Sequence, residues 1–415
     1  MDELDFERSV REAGGRAYLV GGWVRDSELG LVPHDRDYVV TGVGEGVFRE
    51  VFPGAIRIGK SFPVYSLRIN GEHCDVAFAR SERKSGWGYR GFEVSFSPET
   101  TIEEDLGRRD TTINAMAVDI ESGRLIDPYG GASDARDGVI RAVSERFPDD
   151  PVRALRAARQ ACQLNFRIEP GAVSMMKACR DELRGEPGER LVNELSRALE
   201  CERPSIFFAR LLDAEILDAV FPQIHALAGV PQPTKFHQEG DVFTHSMQVL
   251  DRAAALSGRT EVRFAALAHD LGKALTPAEI LPRHIGHETR GTEALAEWNR
   301  GTTLPERWVK CAALAIREHM RAWELKKPHK IAELLDRVGR SPLGLDGFES
   351  VLRADRGGAP EFLNDRGALV EAMRSVKAAD APTGVEGEAL GRWLKERRAM
   401  AVAAALRDGG STVHG

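Results

Sequence analysis

The chain has 415 residues, 42% hydrophobic and 29% charged, with a formal net charge of −7. That composition describes an ordinary soluble globular protein of roughly two to four domains. It excludes a membrane-spanning architecture, because no apolar run reaches the length of a span, and its bulk charge does not advertise nucleic-acid binding.

The opening residues, Met1 to Asp5, are acidic and lack the apolar stretch of a signal peptide. Five scattered cysteines (Cys74, Cys162, Cys179, Cys201, Cys311) contain no CxxC pair, and they read as reduced structural thiols in a cytoplasmic protein. Of the 57 basic residues 46 are arginine, so local arginine clusters must carry any argument for RNA.

In chain order, Ala17-Tyr18-Leu19-Val20 predicts a strand that runs into Gly21-Gly22-Trp23-Val24-Arg25-Asp26. Two glycines after a strand let a phosphate approach bare N–H groups, and Arg25 can pair with its oxygens in a forked geometry. Asp35-Arg36-Asp37 follows, with Tyr38-Val39-Val40 continuing a strand. On a strand the period of two points Asp35 and Asp37 to one face, where they would repel unless a cation sat between them. Mg²⁺ prefers oxygen ligands and keeps substrate phosphates in its shell. The implied chemistry is metal-assisted nucleotidyl transfer.

Residues 63–69 and 74–78 predict a hairpin around Asn70-Gly71, which brings in Asp75 as a third catalytic carboxylate. The stretch 85–91 is glycine-rich and predicts a loop, and Thr101 to Glu104 predicts a capping box opening a helix. In Arg108-Arg109-Asp110-Thr111-Thr112-Ile113-Asn114, Arg109 offers a phosphate or ribose contact, and Asp110 and Asn114 offer acceptors for sugar hydroxyls.

From about residue 148 the pattern is helical. Asp150, Arg153, Arg156 and Arg159 recur at a spacing of three, which places them on one helix face with Pro151 in its first turn. A carboxylate beside a guanidinium can read cytosine or adenine on the Watson–Crick edge, and guanine and uracil put a carbonyl against the carboxylate instead. Glu189 and Glu194 are expected to brace that helix through arginines. Further on, His245, His269-Asp270, His284 and His287, with His319 beyond, form a candidate transition-metal set able to activate water against a phosphate ester. No distal aspartate is evident to complete it, and the last 75 residues show no catalytic cluster.

These motifs, in this order, resemble the bacterial class II CCA-adding tRNA nucleotidyltransferases of the poly(A) polymerase family, within the DNA polymerase β superfamily. The likeness is to the subgroup with an HD domain and runs from about residue 17 to about 320. Leu19 to Asp26 is similar to the family's entry motif, Asp35 and Asp37 to its metal pair, and Arg109-Asp110 to its ribose motif. Asp150, Arg153, Arg156 and Arg159 are similar to its nucleotide-selecting helix, Glu189-Arg190 with Glu194 to the motif behind it, and Ile58 to Val64 to this subgroup. Asp149 departs from the Glu common in the family, and Ser27-Glu28 replaces a more apolar pair.

The resemblance implies an α+β chain. A polymerase-β-like head with a small mixed sheet occupies 1–140, a helical neck 141–225, an HD-type domain 226–335 and a helical, tRNA-contacting tail 336–415. It implies addition of C, C and A to tRNA from CTP and ATP with Mg²⁺, no membrane, and no particular protein partner. The HD subgroup is associated with phosphatase, 2′-nucleotidase and 2′,3′-cyclic phosphodiesterase activities. The alternatives are an A-adding or CC-adding specialist, a poly(A) polymerase, an HD hydrolase whose head merely docks RNA, and a non-catalytic tRNA-binding scaffold.

Overall fold

The apolar run at 17–20 becomes a central strand of a mixed sheet, buried on both faces. The computed structural model describes residues 1–58, 63–86, 91–233 and 240–408, with backbone alone for 92–94. Residues 59–62 of the Ile58 to Val64 motif, and 87–90 of the glycine-rich loop, lie outside the described residues.

Helix α1 (Glu3–Glu12) leads into β1 (Arg16–Val20) and α2 (Gly22–Glu28). β2 (Asp37–Thr41), α3 (Glu45–Val51), β3 (Ile56–Arg57), β4 (Val64–Ile69) and β5 (Glu72–Phe78) follow. β6 (Arg80–Lys84) and β7 (Phe92–Phe96) pair as a separate ribbon, and the glycine-rich stretch connects them. α4 (Ile102–Gly107), β8 (Ala117–Asp119), β9 (Leu125–Ile126) and α5 (Gly131–Arg136) complete this part. The sheet order is β3-β4-β5-β2-β1-β8-β9, antiparallel except where β2 runs parallel to β5.

Side-chain alternation divides the apolar residues between two layers. Ala17, Leu19, Tyr38 and Val40 pack with Phe6, Phe48 and Phe78. Tyr18, Val20 and Val39 pack with Ile102, Leu106 and Ala115. Burial on both faces is why β1 reads as continuous rather than alternating. The hairpin forms as expected, with Asn70 at φ 52° and Gly71 at φ 85°, both left-handed. The Thr101–Glu104 capping box is present in both directions.

The backbone corrects the strand argument for the acidic pair. β2 begins at Asp37, and Asp35 lies ahead of it in the left-handed region at φ 45°. Aspartate tolerates that conformation better than most residues. The two carboxylates are therefore placed by a bend, not by a strand's period.

The helical part opens with β10 (Val139–Ile140), α6 (Arg153–Leu164) and β11 (Arg167–Ile168). It continues through α7 (Pro170–Ala178), α8 (Arg180–Leu183), α9 (Gly188–Leu199), α10 (Ser205–Asp213), α11 (Leu217–Val220) and α12 (Pro222–His225). Then come α13 (Val242–Leu256), α14 (Thr260–Ala268), α15 (His287–Thr302), α16 (Glu306–Glu324), α17 (Pro328–Gly339), α18 (Gly344–Arg356), α19 (Arg366–Ser375) and α20 (Gly387–Asp408). The first turn of α6 is later than expected: its N-cap is Val152, so Asp150 and Pro151 precede the helix.

Two compact units result. One comprises the described residues of Met1–Glu194 with Ile206–Val220, the other Leu195–Ser205 with the described residues from Phe221 on. Within the second, Val249, Ala265, Leu314, Leu335, Phe348, Val351 and Leu406 share one hydrophobic core. Packing is thus continuous across residue 335, where the sequence reading draws a boundary. Among the described residues no helix is long and apolar enough to cross a membrane.

Candidate functional site

Gly21, at φ 71°, ends β1 and caps α2. A Cβ there would come within 3.4 Å of Arg109 Nη1, and one on Gly22 within 3.4 Å of Arg25 Nη2. Two guanidinium groups therefore converge on the glycine bend. Arg25 is buried and held by Asp26 Oδ1 (2.8 Å from Nε), and it donates from Nη1 to Asn114 Oδ1 at 2.9 Å. Arg109 donates to the Asn114 carbonyl at 3.3 Å and pairs with Asp105 at 3.1 Å. Asp105 is fully buried between Arg108 and Arg109, and these partners outweigh the cost of its burial and hold its carboxyl below the usual range. Backbone N–H groups and paired cations make an anion site here.

The carboxylates lie next to it. Asp37 on β2 is in register with Asp75 on β5. Residues paired this way in a parallel ladder point to the same face. Both side chains, and that of Asp35, open to solvent. Even so, the surrounding protein mass, then Asp75, push the Asp37 carboxyl up to about 6, with Arg109 opposing and Asp35 adding to the rise. Acids held this close resist ionising together. Carboxylates that influence one another in this way fit a hard divalent cation.

The neck side chains are placed differently from expectation. Asp150 receives a forked contact from Arg190 Nη2, at 2.8 and 2.9 Å, and Glu186 holds Arg190 from behind at 2.6 Å. Arg153 is buried and donates to the carbonyls of Arg146 (2.8 Å) and Arg108 (2.6 Å). Arg156 pairs with Asp110 at 2.7 Å, and Arg159 with Glu194 at 2.5 Å. The three arginines thus diverge to separate partners instead of forming one face with Asp150. Glu194 braces α6 as expected, whereas Glu189 is exposed and Glu186 does the work assigned to it. Asp110 is a buried brace, bonded by Arg156, the Thr111 N–H and Gln160. It does not present a free acceptor to a sugar.

In the second unit, His245 on α13, His269 just past α14 and Asp270 come together. His287, the first residue of α15, and His319 on α16 approach the same aspartate. All five residues are buried. His284 is not among them: its ring bonds Thr276 Oγ1 at 2.8 Å and the Pro231 carbonyl at 3.0 Å. Asp355, on α18, takes the place left open in the sequence, with Oδ1 at 3.2 Å from His245 Nε2. Hence the last 75 residues do contribute to a site. Burial would raise the Asp270 carboxyl, but His269 and Lys273 outweigh it and hold the group well below the carboxylate range. Lys273 Nζ lies 2.6 Å from Asp270 Oδ2. His269 Nε2 and Asp270 Oδ1 are buried atoms without a hydrogen bond among the described residues. Imidazole nitrogens and carboxylates left in that state fit a transition-metal ion.

Three family models match parts of this chain. Residues 17–141 match the poly A polymerase head domain, 165–227 a probable RNA and SrmB-binding site of polymerase A, and 242–347 the HD domain. The "Multifunctional CCA protein" of Xanthomonas euvesicatoria pv. vesicatoria (strain 85-10) is 41% identical over 95% of this chain and 100% of its own. The chain belongs to the multifunctional CCA protein family. The relative of the same name from Nitrosococcus oceani is 40% identical over 94% of this chain and 98% of its own. A solved CCA-adding enzyme, apo form II, superposes with a TM-score of 0.68 at 23% identity, covering 99% of this chain and 96% of its own. The Bacillus stearothermophilus CCA-adding enzyme in complex with CTP gives 0.67 at 24%, covering 98% and 93%. These two support the fold. Family membership makes the chain an enzyme of the nucleotidyltransferase class, with divalent-metal dependence in general.

In this CCA-family chain, Asp105, Glu186 and Asp355 are the residues that sequence reasoning missed. Asp105 had a usable signal, the i+3 and i+4 spacing to Arg108 and Arg109. Asp110 supplies a pH test. Burial raises its carboxyl, but Arg156, the Thr111 N–H, Arg159 and Arg153 outweigh burial and hold it at about 2 against an ordinary 3.8. A depressed folded pKa stabilises above the unfolded value, and that contribution is lost as pH falls through the folded one. Asp110→Asn is expected to lower stability at neutral pH by about 2 kcal/mol and to flatten the loss between pH ~4 and ~2. Urea denaturation across that range checks it, and an unchanged acid limb refutes it.

Proposed function

We propose that this chain is a template-independent CCA-adding tRNA nucleotidyltransferase that uses CTP and ATP. The observation that carries the reading is the Asp37–Asp75 register beside the Gly21–Gly22 bend, in a chain 41% identical to a multifunctional CCA protein. Asp35 and Asp37, with Asp75, would hold Mg²⁺. When bound, that ion would supply Lewis-acid stabilisation of the transferring phosphoryl group. Gly22 and Arg25 seat the phosphates, and Arg109 with Asn114 holds the ribose end. Asp150 reads the base from the position that Arg190 sets, with Arg153 beside it. Asp110, Arg156 and Arg159 lock the selecting helix in place.

The head is assigned to 1–140, the neck to 141–225, the HD-type region to 226–335 and the tRNA-contacting tail to 336–415, with Asp355 reaching the HD centre from the tail. The enzyme works in the cytoplasm. The buried histidine–aspartate cluster favours a second activity, hydrolysis of phosphate monoesters or 2′,3′-cyclic phosphodiesters, because it gathers metal ligands that nucleotidyl transfer does not need.

Incubating the chain with tRNA lacking its 3′ CCA, and sequencing the ends, tests the first activity. The expected product carries C, C and one A with CTP and ATP present, and nothing from UTP or GTP. A CC end, an A added only to CC-ended tRNA, or a poly(A) tail would each replace this reading with the corresponding specialist.

A further inference from the structure

We propose that Arg356, laid over the ring of Trp323, binds the substrate's phosphate at the HD site. Its guanidinium takes two non-bridging oxygens of a nucleotide monoester or 2′,3′-cyclic ester. The inference rests on the phosphohydrolase reading above and adds the residue that recognises the anion.

His245, His269, Asp270, His287 and His319 are buried, so a substrate meets the cluster at an edge. Two helices carry cluster residues to one such edge. On α18 Asp355 is followed by Arg356, the helix's last residue, and on α16 His319 is followed by Met320, with Trp323 one turn on. Asp355 Oδ1 lies 3.2 Å from His245 Nε2, and its other oxygen, Oδ2, lies 3.5 Å from Arg356 Nε. Arg356 Nη2 lies 2.7 Å from Met320 Sδ, and Cζ stands 5.4 Å from the centroid of the Trp323 ring. The guanidinium therefore spans the ends of both helices, one residue removed from the cluster on each. Its side chain is 40% exposed, so an incoming anion can reach it.

These contacts hold the group in place without using it up. A guanidinium has five N–H donors in a fixed fork that matches phosphate oxygens. Among the described residues the polar partners of Arg356 are a thioether, which is a weak acceptor, and one distant carboxylate oxygen. Neighbouring arginines are engaged far more closely. Arg353, on the same helix, pairs with Glu349 at 2.7 Å, and Arg321, two residues before Trp323, with Glu318 at 2.9 Å. The Trp323 ring supports the guanidinium plane and leaves its edge to a ligand. Trp323 Nε1 is itself buried without a hydrogen-bond partner among the described residues, so the pair includes a donor in want of an acceptor.

Electrostatics favours the same assignment. Asp270 and Asp355 would repel a phosphate arriving at the cluster. A guanidinium against the outer oxygen of Asp355 offsets that repulsion where the anion enters. The competing role for Arg356 is a clasp that joins α16 to α18 and touches no substrate. A clasp contributes to stability alone, and an exposed one contributes little.

Steady-state hydrolysis of 2′,3′-cyclic AMP by the full chain separates the two roles. Arg356→Gln is expected to raise KM about 50-fold with kcat within about 3-fold, the scale of lost hydrogen bonds to a charged group. Arg356→Lys, which keeps the charge and loses the fork, should recover part of that rise, and both variants should melt like the wild type. Independently of activity, phenylglyoxal should modify Arg356 in the wild type, and inorganic phosphate should slow that reaction without slowing the reaction at Arg353. Peptide mass mapping reads both sites. An unchanged KM in Arg356→Gln, or a fall in kcat alone, overturns the inference and leaves the phosphohydrolase reading standing. No hydrolysis by the wild type overturns both. Should Arg356→Gln fail to fold, protection by phosphate decides alone, and its absence refutes the assignment.

Discussion

Asp37→Ala is expected to lower CMP and AMP incorporation about 10³-fold, the scale of several kcal/mol of lost transition-state stabilisation. CTP binding should weaken far less, because Arg25, Arg109 and the glycine bend remain. The fold should survive, since Asp37 is the exposed first residue of β2 and the buried run begins at Tyr38. Metal-free stability at neutral pH should even rise slightly. An acid whose folded pKa is raised, here to about 6, weakens the folded state as pH climbs past its ordinary value of 3.8 and through the folded one. Removing it lifts that penalty. Single-turnover incorporation, CTP titration and thermal melts on one preparation measure all three. Near-normal incorporation by the variant would refute the metal role.

Gly272→Ala is expected to disable the HD centre. A Cβ at Gly272 would meet the His287 carbonyl at 1.9 Å and the Gly291 nitrogen at 2.3 Å, backbone against backbone. Neither can step aside, so α15 must move and take His287 with it. Overpacking of this kind costs about 3 kcal/mol. Gly301 is the control, because it lies on the same helix with nothing within 4 Å of its added Cβ. Gly301→Ala should stabilise the helix by about 1 kcal/mol. Urea melts of both variants, with hydrolysis of a 2′,3′-cyclic nucleotide, test the pair. If Gly272→Ala melts like the wild type and hydrolyses normally, the close packing claimed for α15 is wrong.

Much of the catalytic head is legible without coordinates because its signals are local. A strand ending in Gly21-Gly22, a hairpin at Asn70-Gly71 and a box at Thr101–Glu104 each depend on neighbours within a few residues. The same holds for the doublet His269-Asp270 at the end of α14. The arginine spacing on α6 was legible too, and it misled. Spacing places residues on a face, but partners such as Arg190, Glu194 and the carbonyls of Arg108 and Arg146 decide where each side chain goes.

From its sequence this chain already declared a glycine-turned strand with acidic companions, a helical remainder and a histidine-rich cluster. Those features are written in periodicities of two, three and four and in the chemistry of single residue types. Only the tertiary structure put Asp75 in register with Asp37, removed His284 from the histidine cluster and added Asp355 to it, and closed one core across residue 335. The reason is physical. A carboxylate or imidazole far along the chain becomes a ligand through the packing of the helices or strands that bear it, and that packing follows from which apolar faces find each other, which no local spacing records.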